Sequence, residues 1–186
     1  MPRILAIAGS PSHPSRTFTA LEYARQILEQ ENLVIDFVSV RDFSAEALLF
    51  AQFDHPDIQR LTRLVEQADA VILATPVYKA SYTGVLKALL DLLPQNALVG
   101  KPVLAIATGG TLAHYLILDY ALKPVLSALG ARHIPAGVYV LDTQIQKLPN
   151  GEYQLDEEVK QRLEKAVQDF ITTLTSPKGI PVGANY

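Results

Sequence analysis

Three short stretches hold most of the residues able to do chemistry: Gly9 to Thr17 ("GSPSHPSRT"), Thr75 to Tyr82 ("TPVYKASY") and Thr108 to His114 ("TGGTLAH"). The first offers hydroxyls at Ser10, Ser12, Ser15 and Thr17, and one cation, Arg16, where a helix is expected to begin. The unpaired amides of a first helical turn and the helix dipole favour an anion, and these hydroxyls can donate to phosphate oxygens. The same Gly and Ser would also serve a β–α turn that needs them for its own backbone and cap, so this loop alone leaves both uses open. In the second stretch, Pro76 fixes the backbone and Tyr78 offers a flat amphipathic face. In the third, Gly109 and Gly110 let backbone approach a ligand closely.

Each stretch follows a short apolar run: "ILAIA", "AVILA" and "VLAIA". Fully apolar strands separated by helices indicate a parallel sheet covered on both faces. A helix with the stripe Ala20, Leu21, Ala24, Ile27 and Leu28 follows the first loop, and a second strand is expected at about Leu33 to Val40. A short helix within Asp42 to Phe53 and a longer one over His55 to Gln67 lead to the third strand. "VLAIAT" is the fourth strand, an apolar helix ends near Gly130, and a fifth strand lies within "PAGVYVLD". "QKLPNGEYQ" carries an Asn-Gly turn signal between doubtful strands. Asp156 is expected to cap a last helix carrying Val159, Leu163, Ala166, Phe170 and Leu174. The fold class is therefore α/β: a flavodoxin-like three-layer sandwich with a five-stranded parallel sheet. One domain spans residues 1–175, with an extended tail over 176–186. Ligands on such sheets bind at the carboxyl ends of the strands, where the three stretches lie.

Composition removes other functions. There is no cysteine, so thiol catalysis, disulfides, iron–sulfur clusters and cysteine-ligated zinc are absent, consistent with a reducing compartment. A net charge of −3 gives no footprint for nucleic acid and no dense acidic face of the kind an electron carrier docks with. The first apolar run is too short for a signal peptide and no segment is long enough to span a membrane, so a soluble, cytoplasmic protein is expected. The four histidines have no metal-ligand spacing. Neither G-x-x-x-x-G-K-[ST] nor G-x-G-x-x-G occurs. A phosphate cradle beside a flat groove lined by amides suits a mononucleotide with a large planar ring, and flavin mononucleotide (FMN) meets both demands.

The words "AGSP" with "SR", "ADAVILATPVYKASYTGVLKALLDLLP" and "ATGGTLAHYLILDYALKPVLSALGA" resemble the NADPH-dependent FMN reductase family, especially the reductases paired with alkanesulfonate monooxygenases. The resemblance covers residues 3–142. It implies that Ser10, Ser15, Arg16 and Thr17 hold the FMN phosphate. Pro76, Val77, Tyr78 and Lys79 would run beside the isoalloxazine, and Thr108, Gly109, Gly110 and Thr111 would close its other edge. Many relatives carry an Arg where this chain has Ser12, which leaves Arg16 as the only cation of the loop. The implied activity is hydride transfer from NADPH to FMN by ring stacking, with no catalytic side chain and no metal, and delivery of FMNH2 to a monooxygenase. An FMN-bound quinone or azo reductase and, in another class, a flavodoxin-like electron carrier are the alternatives.

Two helices bear on assembly. Val85, Leu86, Ala88, Leu89, Leu90, Leu92 and Leu93 leave only Lys87 and Asp91 as a charged edge, which predicts burial against a second subunit. In "HYLILDYALKPVLSALG", Pro124 has no N–H for the Tyr120 carbonyl, so the helix is expected to kink or widen, as a π-bulge would. Relatives of the alkanesulfonate type place an inserted Tyr in such a widened helix at a subunit interface, which implies for Tyr120 a role in a dimer of dimers and in flavin exchange.

Overall fold

The computed structural model describes residues 1–175, and the expected tail at 176–186 lies outside the described residues. Strands β1 (Arg3–Ala8), β2 (Val34–Ser39), β3 (Ala70–Pro76), β4 (Val103–Gly109) and β5 (Val138–Leu141) form one parallel sheet. Their order is β2-β1-β3-β4-β5, the flavodoxin-like arrangement, with its topological switch point between β1 and β3. The runs lack apolar–polar alternation because both faces are covered. Successive residues of β1 serve different cores. Leu5 and Ile7 join one cluster, and Ile4, Ala6 and Ala8 join the other.

On the second face lie α1 (Arg16–Glu29) and the last helix, α6 (Glu157–Thr175). The first face is covered by α2 (Ala45–Leu49), α3 (Pro56–Gln67), α4 (Gly84–Asp91) and α5 (Lys123–Ala128). Caps follow the sequence signals. Ser15 opens α1 by accepting from the Phe18 N–H, His55 opens α3, and Asp156 opens α6 by accepting from the Val159 N–H at 2.8 Å. The Asn-Gly signal marks a real hairpin, β6 (Ile145–Lys147) with β7 (Tyr153–Leu155), although strands there were doubtful from sequence. Ile145 and Leu155 anchor it in the core beneath α1 and α6.

The expected need for a second subunit to bury the leucines of α4 does not arise. Leu86, Leu89, Leu90, Leu92 and Leu93 are all buried within one chain, because α2 folds against α4 and adds Ala47 and Leu48 to the covering layer. Only Val85 and Ala88 remain partly open, and the Lys87–Asp91 pair forms as expected at 2.5 Å.

The stretch after β4 is not one helix. It runs as a 3-10 turn (Leu112–His114), a π-helical turn (Leu118–Leu122) and α5. The Lys123 N–H reaches back to the Leu118 carbonyl, the wider step expected where Pro124 cannot bond to Tyr120. Tyr120 is 78 % exposed, so a core-packing role for its ring is excluded within this chain. No helix among the described residues is long and apolar enough to cross a membrane.

One tertiary contact between α1 and α6 carries a pH signature. The Tyr23 hydroxyl donates to the Glu164 carboxylate at 2.5 Å. Burial first, then this acceptor, push the phenol from 10.0 up to about 12. Folding thus favours the protonated phenol, so its contribution is complete below its ordinary value and lost as pH rises through the folded one. The stability gap between wild type and Tyr23→Phe, read as urea midpoints, should shrink from pH 10 to 12. Parallel curves across that window would disprove the linkage.

Candidate functional site

The carboxyl ends of β1, β3 and β4 meet around a cavity of about 180 Å³. All the residues expected at the site line it except Lys79 and Thr111. Ser10, Ser12, Ser15, Arg16 and Thr17 form one side, Pro76, Val77 and Tyr78 a second, and Thr108, Gly109 and Gly110 a third. Pro14, Asp142 and Tyr153 complete the wall and were not anticipated. Asp142 could have been suspected as the residue that ends β5; Tyr153 sits in the hairpin, where no sequence signal points to a ligand.

Buried hydroxyls position these loops. Thr83, the N-cap of α4, donates to the Gly9 carbonyl at 2.7 Å and accepts from the Leu86 N–H at 3.2 Å. Its own N–H donates to the Thr75 hydroxyl at 3.1 Å. Gly9 in turn donates to the Ala74 carbonyl at 2.7 Å. A Cβ on Gly9 would lie 2.8 Å from that carbonyl oxygen and from Leu86 Cδ2, so only glycine fits where the first loop crosses the second.

Thr17 departs from its expected use. Its hydroxyl meets that of Thr108 at 2.5 Å, and both residues are nearly fully buried. The pair consumes one of its two hydroxyl protons, leaving one for the cavity that both residues line. Ser15 spends its oxygen on the helix cap. Ser10 gathers the loop instead, through its hydroxyl contact with Ser12 at 3.2 Å and by accepting from the Ser12 N–H at 3.3 Å. Arg41 adds a further support, donating to the Pro11 carbonyl at 2.7 Å.

Among the described residues, Arg16 is the only Lys or Arg lining the cavity. Its Nε is buried without a hydrogen-bond partner, and its guanidinium lies 5.2 Å from the centroid of the Tyr153 ring. The Arg16 and Thr17 amides open α1 and have no intrahelical acceptor. An anion placed here would therefore meet a guanidinium, two free amides and the Ser10 and Ser12 hydroxyls. Those groups fit a phosphate.

The second loop is a tight turn. Tyr78 and Ser81 exchange both backbone hydrogen bonds, at 2.8 and 3.1 Å. Lys79 and Ala80 hold φ of 50° and 60° between them, left-handed values that cost a non-glycine residue about 1–2 kcal/mol. This turn carries Lys79 out to solvent, which is why it misses the cavity. It leaves the Tyr78 ring half-exposed at the mouth. Thr111 turns away too. Its hydroxyl caps the 3-10 turn, and its carbonyl accepts from the Tyr139 hydroxyl at 2.7 Å. Burial, and then the Asp142 charge, raise the Tyr139 phenol, so it stays a donor to that carbonyl. No group of three or more His, Asp or Glu among the described residues could hold a metal.

The loop supports predict a stability cost. Thr83→Val removes the donor to Gly9 and the acceptor of Leu86, leaving buried groups unpaired at about 1–3 kcal/mol. The urea midpoint should fall accordingly, and an unchanged midpoint would show that these bonds contribute nothing net.

The sequence description of NADPH-dependent FMN reductases matches residues 2–146. The FMN reductase (NADPH) of Escherichia coli (strain K12) is 50% identical over 161 residues, covering 83% of this chain and 84% of that protein. The FMN reductase (NADPH) of Pseudomonas putida KT2440 is 47% identical over 172 residues, 92% of this chain and 87% of its own. The crystal structure of an NADH:FMN oxidoreductase in its apo form superposes with a TM-score of 0.84 at 38% identity, covering 96% of this chain and 92% of that one.

Proposed function

The chain belongs to the NADPH-dependent FMN reductase family, and from that premise we propose that it reduces FMN with NADPH and passes the reduced flavin to a flavin-dependent monooxygenase, one that acts on alkanesulfonates in sulfur assimilation. Free nicotinamide and flavin pools make the cytoplasm its place of work. The observation that carries the flavin assignment is the partnerless Arg16 Nε at the mouth of α1.

FMN held here would supply the redox chemistry, an isoalloxazine able to take up a hydride from a nicotinamide. The chain binds and orients. Arg16, the first amides of α1 and the Ser10 and Ser12 hydroxyls would hold the phosphate, and the backbone of Pro76 to Tyr78 would lie beside the ring. Gly110, with no side chain between its backbone and the cavity, lets the other edge approach. Lys79 then serves the mouth of the site rather than its wall.

Arg16→Ala should remove a charge-assisted bond worth about 1.5–3 kcal/mol, a roughly tenfold to hundredfold rise in the Kd of FMN. Riboflavin, which lacks the phosphate, should be nearly indifferent. Equal losses for both would refute the phosphate assignment. NADPH oxidation with free FMN as sole acceptor is the matching activity assay; consumption only after a quinone is added would point to an FMN-bound quinone or azo reductase.

The assembly in this reading is a dimer of dimers. The apolar surface left for a partner beside α4 lies on and just after α2, at Leu49, Phe50 and Phe53, all exposed. A second apolar surface follows the third loop: Leu112, Tyr115, Leu116 and Tyr120 are exposed along the 3-10 and π-helical turns. The Tyr115 ring stands edge-on to Tyr139 at 5.8 Å, and Tyr139 holds Thr111, so contact at this surface reaches the flavin edge. Tyr120→Ala should weaken the tetramer and alter FMN turnover or release with little change in thermal midpoint. A large fall in midpoint with assembly and turnover intact would leave Tyr120 a fold residue only.

A further inference from the structure

Tyr153 stands at the meeting of two cavities. One is the cradle of about 180 Å³. The other, about 490 Å³, lies between α1, the β6–β7 hairpin and the start of α6. Pro14, Ser15 and Tyr153 line both. The larger one is walled by the Phe18 and Tyr23 rings and by Gln26 and Lys160. Its size falls within the range of about 300–1,000 Å³ usual for small-molecule sites.

Resting on the assignment of the cradle to a flavin phosphate, we infer that Tyr153 restricts the enzyme to the monophosphate flavin, and that the cavity behind its ring would take the adenylate of FAD once the ring is removed. A terminal phosphate needs nothing beyond the cradle. A pyrophosphate must continue past Arg16, and on the hairpin side the stacked Arg16–Tyr153 pair occupies that exit. Passage would require the ring to leave the guanidinium and forfeit the cation–π contact.

The backbone gives the ring little freedom. Tyr153 is paired with Lys147 across the hairpin, Leu155 two residues on is buried, and the Asp156 N–H donates to the Gln144 carbonyl at 3.0 Å. Beyond the wall the chemistry suits an adenylate. Phe18 and Tyr23 offer faces for a purine, and Gln26 a donor and acceptor for its edge. Lys160, paired with Glu157 at 3.5 Å, is a cation that must serve the second phosphate beside the Glu22 and Glu152 carboxylates of the same wall.

The test is calorimetric titration of the purified chain with FMN, FAD and riboflavin. Wild type should bind FMN at least roughly tenfold more tightly than FAD. Tyr153→Phe, which keeps the ring, should preserve that ratio. Tyr153→Leu, which keeps apolar packing without the ring, should narrow it by about fivefold or more, with FAD bound no worse than by wild type. Tyr153→Met serves the same purpose if the Leu variant does not fold. Adding Gln26→Trp to the ring-less variant should fill the cavity and restore discrimination. Equal binding of FMN and FAD by wild type, or an unchanged ratio without the ring, overturns the inference. Arg16→Ala separates the two levels: if it leaves the FMN-to-riboflavin preference intact, the phosphate assignment itself fails.

Discussion

A small set of buried hydroxyls holds this site together. Thr17, Thr75, Thr83 and Thr108 lie at the carboxyl ends of the strands, almost wholly out of water, where an unpaired polar atom costs about 1–3 kcal/mol. Each is therefore bonded, and two of the bonds run from one loop to another. Thr83 joins the second loop to the first at Gly9, and Thr17 joins the start of α1 to the end of β4. The sheet supplies parallel strands at fixed spacing, but these pegs decide where the loops stop. A network with every member paired has one arrangement, and a cradle built from backbone amides needs one arrangement.

That rigidity gives the orphaned guanidinium its meaning. Arg162 also has a buried Nε without a partner, yet its other nitrogens donate to the Tyr139 carbonyl and the Gln144 side chain. It is a brace between α6 and the end of β5. Arg16 has neither such bond nor a carboxylate partner among the described residues, only the face of Tyr153. An aromatic face holds a cation in place while leaving its donors free, which is how a binding group differs from a structural one.

The sheet, and the gathering of the three loops at its carboxyl edge as a candidate site, were legible because both follow from local pattern. Apolar strands without alternation demand cover on both faces, and ligands then gather where the strands end. What escaped were residues brought in from afar. Tyr153 and Asp142 reach the cavity only through the path of the chain after β5, and Arg41 braces the first loop from the end of β2. No spacing in the sequence encodes such meetings. Lys79 was misplaced for a different reason: two left-handed residues in succession, without glycine, are not a pattern the sequence announces. For α4, the error lay in neglecting α2. Five residues of connecting helix proved enough to cover leucines that the sheet could not reach.

The proline after the third loop shows how one local rule reaches function. Pro124 cannot bond to Tyr120, so the turn before it widens and the Lys123 N–H reaches the Leu118 carbonyl. Leu118 and Leu122, four residues apart and both buried, mark the inward face of this turn. Tyr120, two residues from each, points the other way and meets solvent while those leucines stay in the core. Tyr120, with Leu116 and Tyr115 beside it, leaves an apolar area here that the described residues do not cover. Because Tyr115 packs on Tyr139, and the Tyr139 hydroxyl holds the Thr111 carbonyl, one ring contact and one hydrogen bond join that surface to the third loop. The widened turn thus presents a buried face and an exposed one within five residues.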